Sequence, residues 1–114
     1  MKTSSLLTYQ GEGRIVISRS VMRGMKAGYR IFKTLAPGEY FRTATKEEYT
    51  KLFYAHLATL DPVEIWEKLH DLAGGAEPVL LCYEKPPFND TNWCHRRMVA
   101  DWFEKELGHK VEEL

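Results

Sequence analysis

The chain has 114 residues, 44% hydrophobic and 28% charged, with 16 basic side chains against 16 acidic ones and two cysteines. A chain of this length makes one ordinary domain, residues 1–114, burying roughly 65% of the surface its unfolded form exposes; the composition is globular, neither disordered nor fibrous. Cancelling charges name no partner, two cysteines make no disulfide scaffold, and the apolar runs fall far short of the ~20 residues that cross a bilayer.

Residues 1–5 lead into no apolar secretory stretch, so a cytoplasmic setting with reduced thiols is expected. Residues 6–9 and 15–18 read as short apolar and β-branched strands with Gln10, Gly11, Glu12 and Gly13 between them. So short a link does not suit a parallel crossover, which predicts antiparallel neighbours unless one of the two is not a strand. Between Glu12 and Glu39 no acidic residue occurs, while Arg14, Arg19, Arg23, Lys26, Arg30 and Lys33 all lie there. That asymmetry fits either an anionic ligand or a solvated basic face. Residues 20–35 carry Met22, Met25, Tyr29 and Phe32 at helical spacing, against which Gly24 and Gly28 weigh by about 1 kcal/mol each.

Thr45-Lys46-Glu47-Glu48 is a capping box and starts a helix. Its inner face is read as Tyr49, Leu52, Phe53, His56, Leu57 and Leu60. Asp61-Pro62 ends it and opens the next, which turns Ile65, Trp66, Leu69 and Leu72 to the core and stops at Gly74-Gly75. Residues 78–83 form a continuous apolar run, as expected of a strand buried on both faces at the centre of the sheet. Asp90 or Asn92 is expected to cap a last helix that runs to Leu107 and closes at Gly108, with an edge strand near Val111. Alternating strands and helices predict a three-layer α/β domain with a short central mixed or parallel sheet.

The chemistry concentrates between Leu81 and Arg97, which include both cysteines, one of the four histidines and two adjacent arginines. A strand end followed by a helix start is where open α/β sheets bind ligands. On a helical wheel His95 falls among Met98, Val99, Trp102 and Phe103, Arg96 lies on the flank of that arc, and Arg97 points away as a surface charge. Cys82 reads as a small core hydrophobe or a pocket residue. Cys94, in a first helical turn beside cations, has the setting of an activated thiolate and is expected to be the more reactive thiol, although packing alone also explains it. His95 is either a satisfied core histidine or a proton carrier. Glu84 can pair with Arg96 or Arg19, or act as an acid or base. His56, His70 and His109 read as structural. Cys82, Cys94 and His95 supply three donors where zinc needs four, so no metal is expected. A Cys82–Cys94 disulfide is within geometric reach but requires oxidising conditions and is not expected.

The run Val79-Leu80-Leu81-Cys82-Tyr83-Glu84-Lys85, then Cys94-His95-Arg96, then Val99-Ala100-Asp101-Trp102, resembles the domain-of-unknown-function family 488, a bacterial and phage group. Leu7-Thr8-Tyr9, Ile17-Ser18-Arg19, Leu35-Ala36-Pro37 and residues 49–62 spread the likeness over most of the chain. The resemblance implies a small Rossmann-like α/β domain whose pocket is lined by Cys82, Glu84, Cys94, His95, Arg96 and Arg19. It implies no reaction or cofactor, and the short link between the first two strands departs from relatives, so a helix is expected to be missing there.

These residues predict a pocket that binds or processes an anionic small molecule such as a nucleotide, or a nucleic-acid phosphate. Arg19 and Arg96 would hold the anion, Cys94 would be the nucleophile, and His95 or Glu84 would move protons. The alternative is a non-catalytic binding or interaction module whose Cys-His-Arg cluster braces the turn. Substrate, cofactor and oligomeric state do not follow from the residues.

Overall fold

The structure is a computed structural model and describes residues 1–114 except Met22, Pro86, Pro87, Asp90 and Thr91. In chain order the strands are β1 (Lys2–Ser5), β2 (Arg14–Val16), β3 (Arg30–Ile31), β4 (Val79–Cys82) and β5 (Glu112–Glu113), and the helices are α1 (Lys46–Leu57), α2 (Pro62–Ala73) and α3 (His95–Leu107). They form an α/β structure with one five-stranded sheet of order β3-β2-β4-β1-β5. Every pairing is parallel, with Lys2 and Arg14 both level with Val79, and Ser5 level with Cys82. β4 is wholly buried and central, as its unbroken apolar run predicts.

The first two strands are not antiparallel neighbours. They flank β4 on opposite sides and run with it, so the chain from Leu6 to Gly13 crosses over β4 without a helix. Residues 6–8 are a turn and not a strand: Ser5 O accepts from Thr8 N and Tyr9 N, and Ser5 Oγ accepts from Leu7 N. β1 lies earlier, in polar residues that stay buried because their hydroxyls find partners. Thr3 Oγ1 donates to Glu113 Oε1 at 2.7 Å, and Ser5 Oγ donates to Tyr83 O at 2.9 Å. Gly13 closes the crossover with a φ of 75°, and a Cβ there would collide with the Glu77 carbonyl.

The two faces of the sheet are covered differently. Ile15, Ile17 and Leu80 pack with Tyr49, Phe53 and Leu57 of α1, Ile65 and Leu69 of α2, and Val99 and Phe103 of α3. Val16, Val79 and Leu81 pack instead with Leu6, Tyr9, Val21, Met25, Tyr29 and Tyr83, none of them helical. The helix expected over residues 20–35 does not form. Gly24 and Gly28 adopt φ of 77° and 102°, which no α-helix accommodates, and the segment resolves into bends, β3 and a 3₁₀ turn at Lys33–Leu35. Met22, part of that expected stripe, lies outside the described residues. Arg14 holds the irregular layer in place: its guanidinium donates to the carbonyls of Gly11, Lys26 and Ala27.

The remaining boundaries follow local chemistry. Thr45 accepts from Glu48 N at 3.2 Å, and Asp61 Oδ1 accepts from Val63 N at 3.0 Å, so both helices start where their caps predict. Gly74 and Gly108 end α2 and α3 in the left-handed conformation. Leu52, expected inside, is 46% exposed. The cap of α3 is Cys94 and not Asn92; Asp90, the other expected cap, lies outside the described residues. No helix among the described residues is long and apolar enough to cross a membrane.

Candidate functional site

A cavity of about 340 Å³ opens at the carboxyl ends of β2 and β4, the position expected for a ligand in a parallel sheet. Ser18, Arg19 and Ser20 come from the segment leaving β2, and Cys82, Tyr83 and Glu84 from the end of β4. Trp93, Cys94 and His95 arrive with the start of α3, while Tyr49 of α1 and Phe41 close the sides. Of the six residues expected to share a pocket, five line it: Arg19, Cys82, Glu84, Cys94 and His95. Arg96 does not.

Arg96 is fully buried behind Cys82. Its Nε and Nη2 donate to the two carboxylate oxygens of Glu113 at 3.0 and 2.8 Å, a bidentate pair. Nη1 donates to Cys82 Sγ at 3.2 Å and to Cys82 O at 3.4 Å. The guanidinium thus spends its bonds on Glu113 and Cys82 and lies 4.8 Å from the Phe88 ring centre, and the pairing of Arg96 or Arg19 with Glu84 does not occur. Glu84 is exposed at the rim. Arg97, expected on the surface, is half-buried and donates from Nη1 to Thr3 Oγ1 and Val111 O at 2.8 and 2.9 Å, tying α3 to β1 and the chain before β5. α3 is rotated toward the sheet edge further than its apolar arc indicates, because β1 and β5 carry the polar partners there.

Burial pushes Glu113 up, but hydrogen bonds from Arg96 and Thr3 and the charges of Arg96 and Arg97 outweigh it, and the carboxyl lies below its ordinary range. His95 is 6% exposed, and its Nε2 lies 2.8 Å from Ile17 O. A carbonyl can only accept, so Nε2 carries the proton and Nδ1 presents its lone pair 3.7 Å from Cys94 Sγ. Burial first, then the Arg96 charge, lower its pKa to about 4 against the pull of the Ile17 bond. His95 is neutral at physiological pH. The Phe53 ring meets it edge-on at 5.3 Å.

Cys82 and Cys94 are joined as a disulfide, and neither is a free thiol. Against the expectation of two separate thiols, strand end and helix cap bring the two sulfurs together on one wall of the cavity. The arginine expected to activate Cys94 faces Cys82 instead. Cys82 Sγ, Cys94 Sγ and His95 Nδ1 lie within 4.8 Å of one another, one donor short of the four in a closed zinc site, and a disulfide offers no thiolate to a metal.

Arg19 stands at the mouth with its side chain 34% exposed. Nη1 donates to Pro37 O at 3.3 Å, Nη2 lies 3.8 Å from an exposed Glu39 carboxylate, and the guanidinium sits 5.0 Å from the Phe41 ring centre. The aromatic walls had no signature in the residues alone. Tyr49 meets Trp93 edge-on at 4.5 Å, and burial, with Tyr40 and Glu84 near, raises the Tyr49 phenol so that it stays protonated. Tyr83, between Cys82 and Glu84, and Trp93, directly before Cys94-His95, are the two wall residues that lie in the same stretch of sequence as the candidate site.

No curated protein and no solved structure matches the chain significantly. A family model, described as domain of unknown function DUF488, matches residues 17–103, which hold Arg19, both cysteines, Glu84, His95 and Arg96. The chain belongs to the DUF488 family.

Proposed function

We propose that the cavity binds an anionic small molecule with a flat body, such as a nucleotide, and that Arg19 meets its negative charge. The observation that carries this is the pairing of one accessible guanidinium with an aromatic enclosure. Arg19 is the only cation lining the cavity among the described residues, and Phe41, Tyr49, Tyr83 and Trp93 surround the space beneath it. An arginine grips phosphate or carboxylate with a planar fork, and aromatic walls take a planar body. Ser18 and Ser20 add hydroxyls at the same rim. A pocket of about 340 Å³ suits a small ligand better than a nucleic-acid backbone, and Arg14 and Arg96 are diverted to internal partners. With both cysteines in one bond, binding is better supported than nucleophilic attack by Cys94 on the ligand.

The test is thermal unfolding of the full chain with inorganic phosphate and with mononucleotides. A ligand at a hundred times its Kd stabilises by about 2.7 kcal/mol. Nucleotides should raise the Tm more than phosphate does, and Arg19→Ala should remove the increment. Indifference of the wild type to both probes, or an undiminished response in Arg19→Ala, refutes the proposal.

A further inference from the structure

We infer that Cys82 and Cys94 form a redox-active pair that exchanges with thiols entering through the cavity, with attack at Cys94 and departure of Cys82 as the thiolate. Both cysteines line the cavity, Cys94 being 5% exposed and Cys82 1%. An incoming sulfur therefore meets Cys94 first. The rate of thiol–disulfide exchange rises with the stability of the leaving thiolate, and the environment is asymmetric in the same sense. Arg96 Nη1 donates to Cys82 Sγ at 3.2 Å, and the Glu113 carboxylate holds that guanidinium in place. Among the described residues Cys94 Sγ faces no cation at that distance; its neighbour is the unprotonated Nδ1 of His95 at 3.7 Å, which can accept a hydrogen bond from a thiol.

In the first step a low-molecular-weight thiolate attacks Cys94 Sγ. A bond forms between the two sulfurs, the Cys82–Cys94 bond breaks, and its electron pair leaves on Cys82. In the second step another such thiolate attacks the sulfur of the bound molecule, releasing an external disulfide and Cys94 as thiolate, which takes a proton from water and hydrogen-bonds to His95. Two external thiols are oxidised and one protein disulfide is reduced. Neither flanking element depends on the bond: β4 is paired on both sides, and the Cys94 side chain does not cap α3.

The experiment equilibrates the full chain in buffers of reduced and oxidised glutathione, quenches with acid, alkylates and counts thiols by mass, with circular dichroism taken on both forms. Reversible appearance of two thiols in a folded chain is expected. The reduced protein at pH 6 should also show one thiolate by ultraviolet absorbance, kept in Cys94→Ala and lost in Cys82→Ala. Arg96→Met should slow reduction by about tenfold, with recovery in Arg96→Lys; the thiolate spectrum needs neither variant, should the buried arginine prove essential to folding. A bond that opens only as the chain unfolds overturns the inference. So does a thiolate that survives in Cys82→Ala, or a reduced chain that takes up Zn²⁺ and no longer reoxidises. No phosphate or nucleotide enters the titration, so its outcome is independent of anion binding.

Discussion

His95 and Glu113 both hold lowered pKa values, which keep the imidazole neutral and the carboxylate charged, and each carries a pH signature of its own. The His95 pKa falls from 6.5 to about 4, chiefly through burial, so below pH 6.5 the unfolded chain takes a proton that the folded chain refuses. Stability should be flat near neutrality and decline as pH drops from 6.5 toward 4, by roughly 3 kcal/mol in all. Denaturant melts across that window check it, and His95→Gln should flatten the decline. Glu113 acts lower down. Its stabilisation is complete above its ordinary value of 4.5 and is lost as pH falls through the depressed folded value. Glu113→Gln at neutral pH leaves a fully buried guanidinium without its carboxylate, and should cost about 3 kcal/mol in a urea melt. Cys82, Cys94 and His95 were legible as a cluster because they crowd one stretch of chain. The Arg96–Glu113 pair was not, since a helix start and a distant edge strand share no local pattern, and the destination of Arg96 depends on how far α3 rolls.

At the scale of elements, helix caps and stop signals predicted boundaries correctly, whereas apolar spacing misplaced the first strand and suggested a helix that does not form. The Thr45 box, the Asp61-Pro62 junction, Gly74 and Gly108 each mark a boundary by chemistry contained within a few residues. Thr45→Ala should therefore lower stability by about 1 kcal/mol without moving the disulfide, read from the midpoint of a denaturant melt. β1 escaped notice because its buried residues are Thr3, Ser4 and Ser5, and only the remote partners Glu113 and Tyr83 make burial of those hydroxyls tolerable. The spacing of Met25, Tyr29 and Phe32 suggested a helix, yet those side chains divide between the two faces of the sheet: Met25 and Tyr29 join the loop-covered face and Phe32 the helical one. Periodicity over a segment with two left-handed glycines was coincidence.

The molecule as a whole is lopsided, with three helices on one face of its sheet and irregular chain on the other. A coil layer has few internal backbone bonds to open, so amides of residues 18–21 and 23–29 should exchange well ahead of those in α1 and α3. Arg14 is the exception that binds this layer together, bridging the crossover to residues 26 and 27. Arg14→Met should hasten exchange across residues 18–21 and 23–29 while leaving α2 protected, as hydrogen-exchange mass spectrometry would show. The position of Trp93 has an optical consequence. Its indole forms part of the cavity wall, next in sequence to a sulfur–sulfur bond, and Trp66 and Trp102 pack around Phe103 away from that cavity. Disulfides quench excited indoles by accepting an electron, so emission from Trp93 should brighten when the bond is opened and change again when a ligand fills the space. The other two tryptophans supply a steady background, and Trp93→Phe should leave that background alone, giving the protein a built-in fluorescent reporter for the chemistry of its own pocket.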